Sequence, residues 1–451
     1  MMTRSAPTMA PYHENTAAFR DGTRTPRDFL EACIERITEL EPSVGAFVSL
    51  DLDAARAASD QSSARWAAGT PASQIDGMPV GIKDIIETAD LPTKMGSPIF
   101  EQYRPWFDSA SVSALREAGA VVVGKTVTTE FAATQPRGTR NPWDLARTPG
   151  GSSSGSAASV GCGMLPAALG TQVVGSIIRP SGFCGVVGFK PSLGALNRGG
   201  SLDLLSQSCT GVLAASLGDA WLTARAIAER VGGDPGYAPL AGPDAPPAPR
   251  RPACVALLRT DGWAIATGDA KAELLRAAEA LRAAGINVIS ADDTPDIAAL
   301  EAALPEAEPV TRTINAWEWR WPLNVFGRRD HAALSPSIHE RMEAMARLTA
   351  DDYVRALQRR EEIRTLHARL LAHADCAISL TAPGAAPVGL GSTGNPIFVV
   401  PGSLLGVPVV TLPKLADGGL PLGLQLIGYR GRDADLFALA AAIEQIVPGA
   451  Y

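Results

Sequence analysis

Thr148-Pro-Gly-Gly-Ser-Ser-Ser-Gly-Ser156, followed downstream by Val174-Gly-Ser-Ile-Ile-Arg179, is the stretch on which the reading of the whole chain turns. Two serines stand out in it, Ser152 and Ser176. Each sits in glycine-rich sequence, where the backbone can turn sharply and bring its N–H groups close to a bound molecule. A serine nucleophile needs a base, and the five histidines (His13, His331, His339, His367 and His373) are all remote in sequence. A Ser–His–Asp triad can be assembled from distant segments, so spacing alone leaves that option open. It also makes another base worth seeking, and Lys83 in Gly81-Ile-Lys-Asp84 is the candidate. No Gly-Lys-Ser/Thr follows Gly150–Gly155, which argues against a phosphate-binding loop.

The chain around this stretch has 451 residues, 46% hydrophobic and 19% charged, with a net charge of −7. That mild acidity argues against a nucleic-acid groove or an anionic membrane surface, both of which want clustered Lys and Arg. Cys33, Cys162, Cys184, Cys209, Cys254 and Cys376 are scattered with no Cys-x-x-Cys, a pattern that favours buried free thiols over a disulfide framework or a metal site. Residues 1–19 carry no apolar core of signal-peptide length, and no run approaches a membrane span, so the expectation is a cytoplasmic chain.

Read in order, the chain alternates helix and strand signals. Thr25-Pro-Arg-Asp28 predicts a capped helix start, with apolar residues at helical spacing until Pro42 ends the run. An Ala-rich helix over 52–68 follows, then a short strand that delivers Lys83 at its end. A helix over 111–118, a strand at Ala120-Val-Val-Val123 and a helix within 212–231 continue the rhythm. The proline-dense stretch 232–252 reads as a surface crossing within one fold, because the same alternation resumes at Cys254. The expected organisation is one domain over 1–451. Its parts are N-terminal helices at 1–70, a core at 71–231, the crossing at 232–252, and the rest of the sheet with a helical pocket region at 253–451. Asp417-Gly-Gly419, between two apolar runs, predicts a hairpin.

Longer motifs then link these pieces. Gly77-Met-Pro-Val-Gly-Ile-Lys-Asp84, Leu91-Pro-Thr-Lys-Met-Gly-Ser97, Leu115–Thr126 with Glu130-Phe131, Asn141–Ala158, Phe183-Cys-Gly-Val-Val-Gly-Phe-Lys-Pro191 and Leu420-Pro-Leu-Gly-Leu-Gln-Leu-Ile-Gly428 occur in this order. In these motifs the chain resembles the amidase signature family over most of its length. The resemblance implies an α/β/α domain around a large mixed sheet and a Ser–cisSer–Lys triad. Ser176 falls at the nucleophile position, Ser152 at the bridging serine after a cis Gly151–Ser152 peptide, and Lys83 at the base. It further implies an oxyanion hole from the backbone N–H groups of Val173, Val174, Gly175 and Ser176, and neither a cofactor nor a metal.

The chemistry fits those residue types. Lysine is a base only when neutral, so its reference pKa of roughly 10.4 must fall by several units, which burial achieves. Val80, Ile82, Ile85 and Ile86 would supply the burial. One departure stands out: the family's common Asp-Thr-Gly-Gly-Ser-Ile-Arg string reads here Gln172-Val-Val-Gly-Ser-Ile-Ile-Arg179, which puts any acid–arginine pair and the loop's backbone geometry in question. Trp317 and Trp321, four apart, share a face if that segment is one helix, and read as core packing or as the lining of a substrate pocket. The expected activity is hydrolysis of a carbon–nitrogen acyl bond in a small amide, aryl amide or carbamate, by a monomer or homodimer. The alternatives are the glutaminase subunit of a tRNA-dependent amidotransferase, which needs a partner and an ammonia tunnel, and a catalytically silent scaffold.

Overall fold

Eleven strands form one continuous sheet in the computed structural model, which describes residue 7, residues 9–202 and residues 204–451. The part of the leader reading that rests on residues 1–6 and 8 lies outside the described residues. The strands are β1 Phe47–Leu50, β2 Pro79–Lys83, β3 Val121–Thr126, β4 Ala167–Gln172, β5 Val187–Lys190, β6 Cys209–Ala214, β7 Cys254–Leu257, β8 Asn287–Ile289, β9 Cys376–Leu380, β10 Val409–Asp417 and β11 Leu420–Ile427. They lie in the order β1-β3-β2-β4-β6-β5-β10-β11-β9-β7-β8. The runs β3-β2-β4 and β9-β7-β8 are parallel. The pairs between β4 and β9 are antiparallel, as is β1 on β3. The sheet is therefore mixed, and the fold is α/β.

Successive side chains on a strand point to opposite faces, and here both faces are covered. Along β3, Val122 packs into one core cluster while Val121 and Val123 pack into another. Along β9, Ile378 and Leu380 join the first cluster and Ala377 a third. This two-sided burial explains why the strands read as continuous apolar runs rather than alternating ones. Residues 232–252 run largely exposed, and strands from either side of them meet mid-sheet, where β5 pairs with β10 through Lys190 and Val409.

Several local readings are met and one is corrected. Thr25 and Asp28 form a reciprocal capping box that opens the helix Pro26–Val44. That helix does not stop at Pro42. It runs on to Val44 and closes at Gly45, whose φ of 64° is left-handed and whose N–H reaches the Glu41 carbonyl at 2.9 Å. Proline near a helix end removes only one backbone bond, which explains why the turn survives it. Five strands (β1, β4, β5, β6 and β9) and the short helices Ser154–Gly161, Ile178–Cys184 and Val400–Leu405 carry no signal that the sequence reading used. Among the described residues no helix is long and apolar enough to cross a membrane.

Candidate active site

Lys83 ends β2, which is hydrogen-bonded to β3 on one side and β4 on the other. Its side chain is fully buried. The parallel register sets Ile82 beside Leu169, so Thr171 lies near the lysine, at the end of β4. Lys83 Nζ donates to Thr171 Oγ1 at 2.8 Å and to the Thr171 carbonyl at 3.3 Å. Its third contact is Ser152 Oγ at 2.7 Å. At that separation a proton can pass between amine and hydroxyl.

Ser152 follows a cis Gly151–Ser152 peptide and immediately precedes the helix Ser154–Gly161. The helix enters the fold so tightly that a Cβ on Gly155 would lie 2.1 Å from the Ala46 carbonyl oxygen. Ser153 Oγ donates to the Thr171 carbonyl at 3.4 Å and Ser154 Oγ to the Val127 carbonyl at 3.2 Å, so both hydroxyls brace the backbone. Ser176 lies in the bend after β4, and its carbonyl accepts the Ser153 N–H at 3.4 Å. Ser152 and Ser176 both line one cavity.

The departures around Ser176 find physical answers. Gln172 Oε1 accepts the Ile177 and Ile178 N–H groups at 2.8 and 2.9 Å, while Nε2 donates to Ser403 Oγ at 3.0 Å. A neutral amide therefore fastens the loop at both ends without a charge pair. Arg179 turns to the Gly151 carbonyl at 2.8 Å and Thr393 Oγ1 at 2.9 Å, and burial lowers its pKa to about 10. Neither Val173 nor Val174 has a positive φ, so valine fits where glycine's freedom is not needed. Glycine is required at 175, where a Cβ would come within 2.2 Å of Val399 Cγ2. The backbone N–H groups of Val173, Val174, Gly175 and Ser176 donate to no protein acceptor among the described residues.

The cavity measures about 570 Å³, and none of the five histidines lines it. Two helices form much of its wall. From Ala307–Glu318 come Glu308, Thr311, Arg312 and Asn315, and from Pro336–Arg347 come Ser337, Glu340, Arg341, Ala344 and Met345, each set at the spacing of one helix face. The tryptophan expectation is corrected here. The helix carrying Trp317 ends at Glu318 and the next begins at Arg320, so Trp317 and Trp321 do not share one helix. Trp317 stacks on Tyr353 with centroids 5.5 Å apart and lies under the Arg320 guanidinium, and Trp321 is 66% exposed. Trp319, at the break between the helices, is the tryptophan that lines the cavity. Thr171, too, escaped the sequence reading; the signal available was its place on the strand that leads into Ser176.

Lys125 does not reach this cavity. It pairs with Asp84 at 3.2 Å and donates to Thr93 Oγ1 at 2.6 Å, with both charged side chains fully buried. Burial pushes the lysine pKa down and the carboxyl pKa up, each partly offset by the other's charge. Cys184 is a packing thiol whose pKa burial raises well above its ordinary value, and none of the six cysteines is in a disulfide. Among the described residues no group of three or more His, Cys, Asp or Glu side chains could hold a metal ion.

Fold and cavity together define an α/β enzyme class, with a buried lysine–serine contact at a cavity open to solvent on one side. The chain belongs to the Amidase family, whose family model matches residues 28–437. Among curated relatives it is 32% identical to a Glutamyl-tRNA(Gln) amidotransferase subunit from Roseiflexus castenholzii, over 97% of each chain. Among solved structures it resembles a crystal structure of an amidase, with TM-score 0.84 and 28% identity over 97% of this chain and 100% of that one. It also resembles the corresponding Glutamyl-tRNA(Gln) amidotransferase subunit from Thermotoga maritima, with TM-score 0.72 and 26% identity over 95% and 96% of the two chains.

Proposed function

We propose that this protein cleaves the carbon–nitrogen bond of a small amide through an acyl-enzyme on Ser176. The 2.7 Å contact between buried Lys83 and Ser152, at a cavity that Ser176 also lines, carries the reading. Neutral Lys83 takes the proton of Ser152, which takes that of Ser176 as its Oγ bonds to the carbonyl carbon. The oxyanion that forms is met by the N–H groups of residues 173–176, each such donor being worth about 3–4 kcal/mol in comparable sites. When the carbon–nitrogen bond breaks, the proton on Lys83 returns through Ser152 to the departing nitrogen. Water then hydrolyses the ester, leaving a carboxylic acid and free amine or ammonia.

What becomes of the nitrogen separates two readings. Release to solvent by an amidohydrolase is supported by the closer superposition on the amidase structure, 0.84 against 0.72. Delivery to a partner, as in the glutaminase subunit of a tRNA-dependent amidotransferase, is the reading that curated sequence relatives favour, at 31–32% identity over nearly the whole chain. The test is the purified chain against aliphatic amides, anilides, carbamates and glutamine, read by amine or ammonia release. Efficient turnover of non-glutamine amides by the chain alone selects the first reading. Glutamine cleavage that rises when partner subunits and charged tRNA are added selects the second. No cleavage of any of them under either condition removes both.

A further inference from the structure

We infer that Ser403 aims the oxyanion hole: its hydroxyl holds the Val174 carbonyl and so fixes where the Gly175 N–H points. This rests on the proposed reading of Ser176 as the nucleophile and of the N–H groups of residues 173–176 as the donors that meet its oxyanion. Ser403 Oγ donates to the Val174 carbonyl at 2.9 Å. That carbonyl and the Gly175 N–H belong to one trans peptide unit, so they point in opposite directions. Val174 and Ser176 line the cavity whereas Ser403 does not, so the serine grips the loop from behind. Holding the carbonyl backward turns the N–H forward, to the side where Ser176 meets the cavity.

The direction of each hydrogen bond in this relay is forced. Gln172 Oε1 accepts the Ile177 and Ile178 N–H groups, so the other end of its amide, which only donates, faces Ser403 Oγ at 3.0 Å. The single hydroxyl hydrogen of Ser403 is therefore left for Val174. Ser403 is buried, and it stands on the helix Val400–Leu405, which is itself pinned. A Cβ on Gly402 would lie 2.6 Å from Val409 Cγ2, so this helix presses directly on β10. Arg364 Nε donates to the Leu404 carbonyl at 2.8 Å. Without the Ser403 bond the Val174–Gly175 peptide would be free to rotate, because neither its carbonyl nor its N–H has another protein partner among the described residues. A donor to an oxyanion works to the extent that its direction is set before the charge develops.

The experiment follows labelling of Ser176 by a neutral alkyl fluorophosphonate. Ser176 Oγ bonds to phosphorus, fluoride leaves, and the phosphoryl oxygen gains charge where the oxyanion would sit, so the natural substrate need not be known. Ser403→Ala should lower the saturating rate kinact by on the order of 10- to 100-fold, short of what deleting a whole oxyanion donor costs, while KI changes by less than about threefold. Ser403→Cys, which keeps nearly the same shape and a weaker donor, should fall between Ser403→Ala and wild type. It also carries the test if Ser403→Ala does not fold. Arg364→Gln is the control for a merely structural role: it loosens the same helix at Leu404, and should lower the melting temperature with kinact unchanged. Unchanged kinact in the Ser403 variants, a loss that falls on KI instead, or an equal loss in Arg364→Gln overturns the inference and leaves the amidase reading standing. Failure of Ser176 to label in the wild-type protein overturns the nucleophile assignment, and the inference with it.

Discussion

Lys83→Met is the substitution that bears most directly on the mechanism. Methionine nearly matches lysine in volume, so the fully buried position is refilled rather than hollowed. What disappears is the amine, and with it the contacts to Ser152 Oγ at 2.7 Å and Thr171 Oγ1 at 2.8 Å. A positioned general base is worth about 10²- to 10⁴-fold, or about 3–5 kcal/mol of barrier at 1.36 kcal/mol per tenfold. The two stranded hydroxyls cost about 1–3 kcal/mol each if they find no other partner, partly offset because no amine has to be desolvated. We therefore expect turnover of the best amide to fall at least a hundredfold, with a cooperative melt preserved at a somewhat lower temperature. Ammonia release and circular dichroism on the same preparation measure both quantities. A folded variant that retains more than a tenth of wild-type kcat would refute the proton route through Lys83, whatever the role of the serines.

Three further outcomes follow from the geometry. Gln172→Leu removes the shared acceptor of two buried N–H groups and should lower stability by about 2–4 kcal/mol in urea titration, whereas Gln172→Glu, which keeps the acceptor, should cost less; equal losses would contradict the fastening role. Lys125→Met leaves Asp84 buried without its ion partner and should cost about 3–5 kcal/mol, while Asp84→Asn added to it recovers most of the loss; strictly additive losses would show the pair is not coupled. The Asp219 hydrogen bond and charge hold the His13 pKa above its ordinary 6.5, against the effect of burial. A raised folded value stabilises fully below about 6.5, and that contribution is lost as pH climbs through the raised value. The melting-temperature gap between wild type and His13→Gln should therefore be wider at pH 5.5 than at pH 9, by an amount worth at most about 1 kcal/mol for this partly exposed pair; a gap that does not change with pH would count against it.

Elements with one-sided burial were legible in the sequence. The helix Pro26–Val44 announces itself through its capping box and apolar stripe, and the Asp417-Gly-Gly419 turn through two left-handed glycines between apolar runs. The helices Ser154–Gly161 and Ile178–Cys184 are buried all round and built largely from small or mixed residues, so no stripe distinguishes them. β4, Ala167-Ala-Leu-Gly-Thr-Gln172, carries no Val or Ile to mark it as a strand. The Lys83–Ser152 contact was legible only through motif resemblance, since 69 residues separate its partners. The cavity wall was not legible: a break at Trp319 changes which tryptophan faces inward, and Arg312 and Arg341 meet only once two helices have packed.

The residues proposed to react and the residues that shape the cavity come from different parts of the architecture. Lys83, Thr171, Ser152 and Ser176 hang from strand ends and a loop fixed by buried main-chain contacts, whereas Trp319, Arg312 and Arg341 belong to the helical segment inserted between β8 and β9. Exchange of that helical insert between relatives would refit the chamber to a different molecule while the reacting hydroxyls keep their aim. Such a scaffold can diversify its diet by altering one contiguous segment of gene.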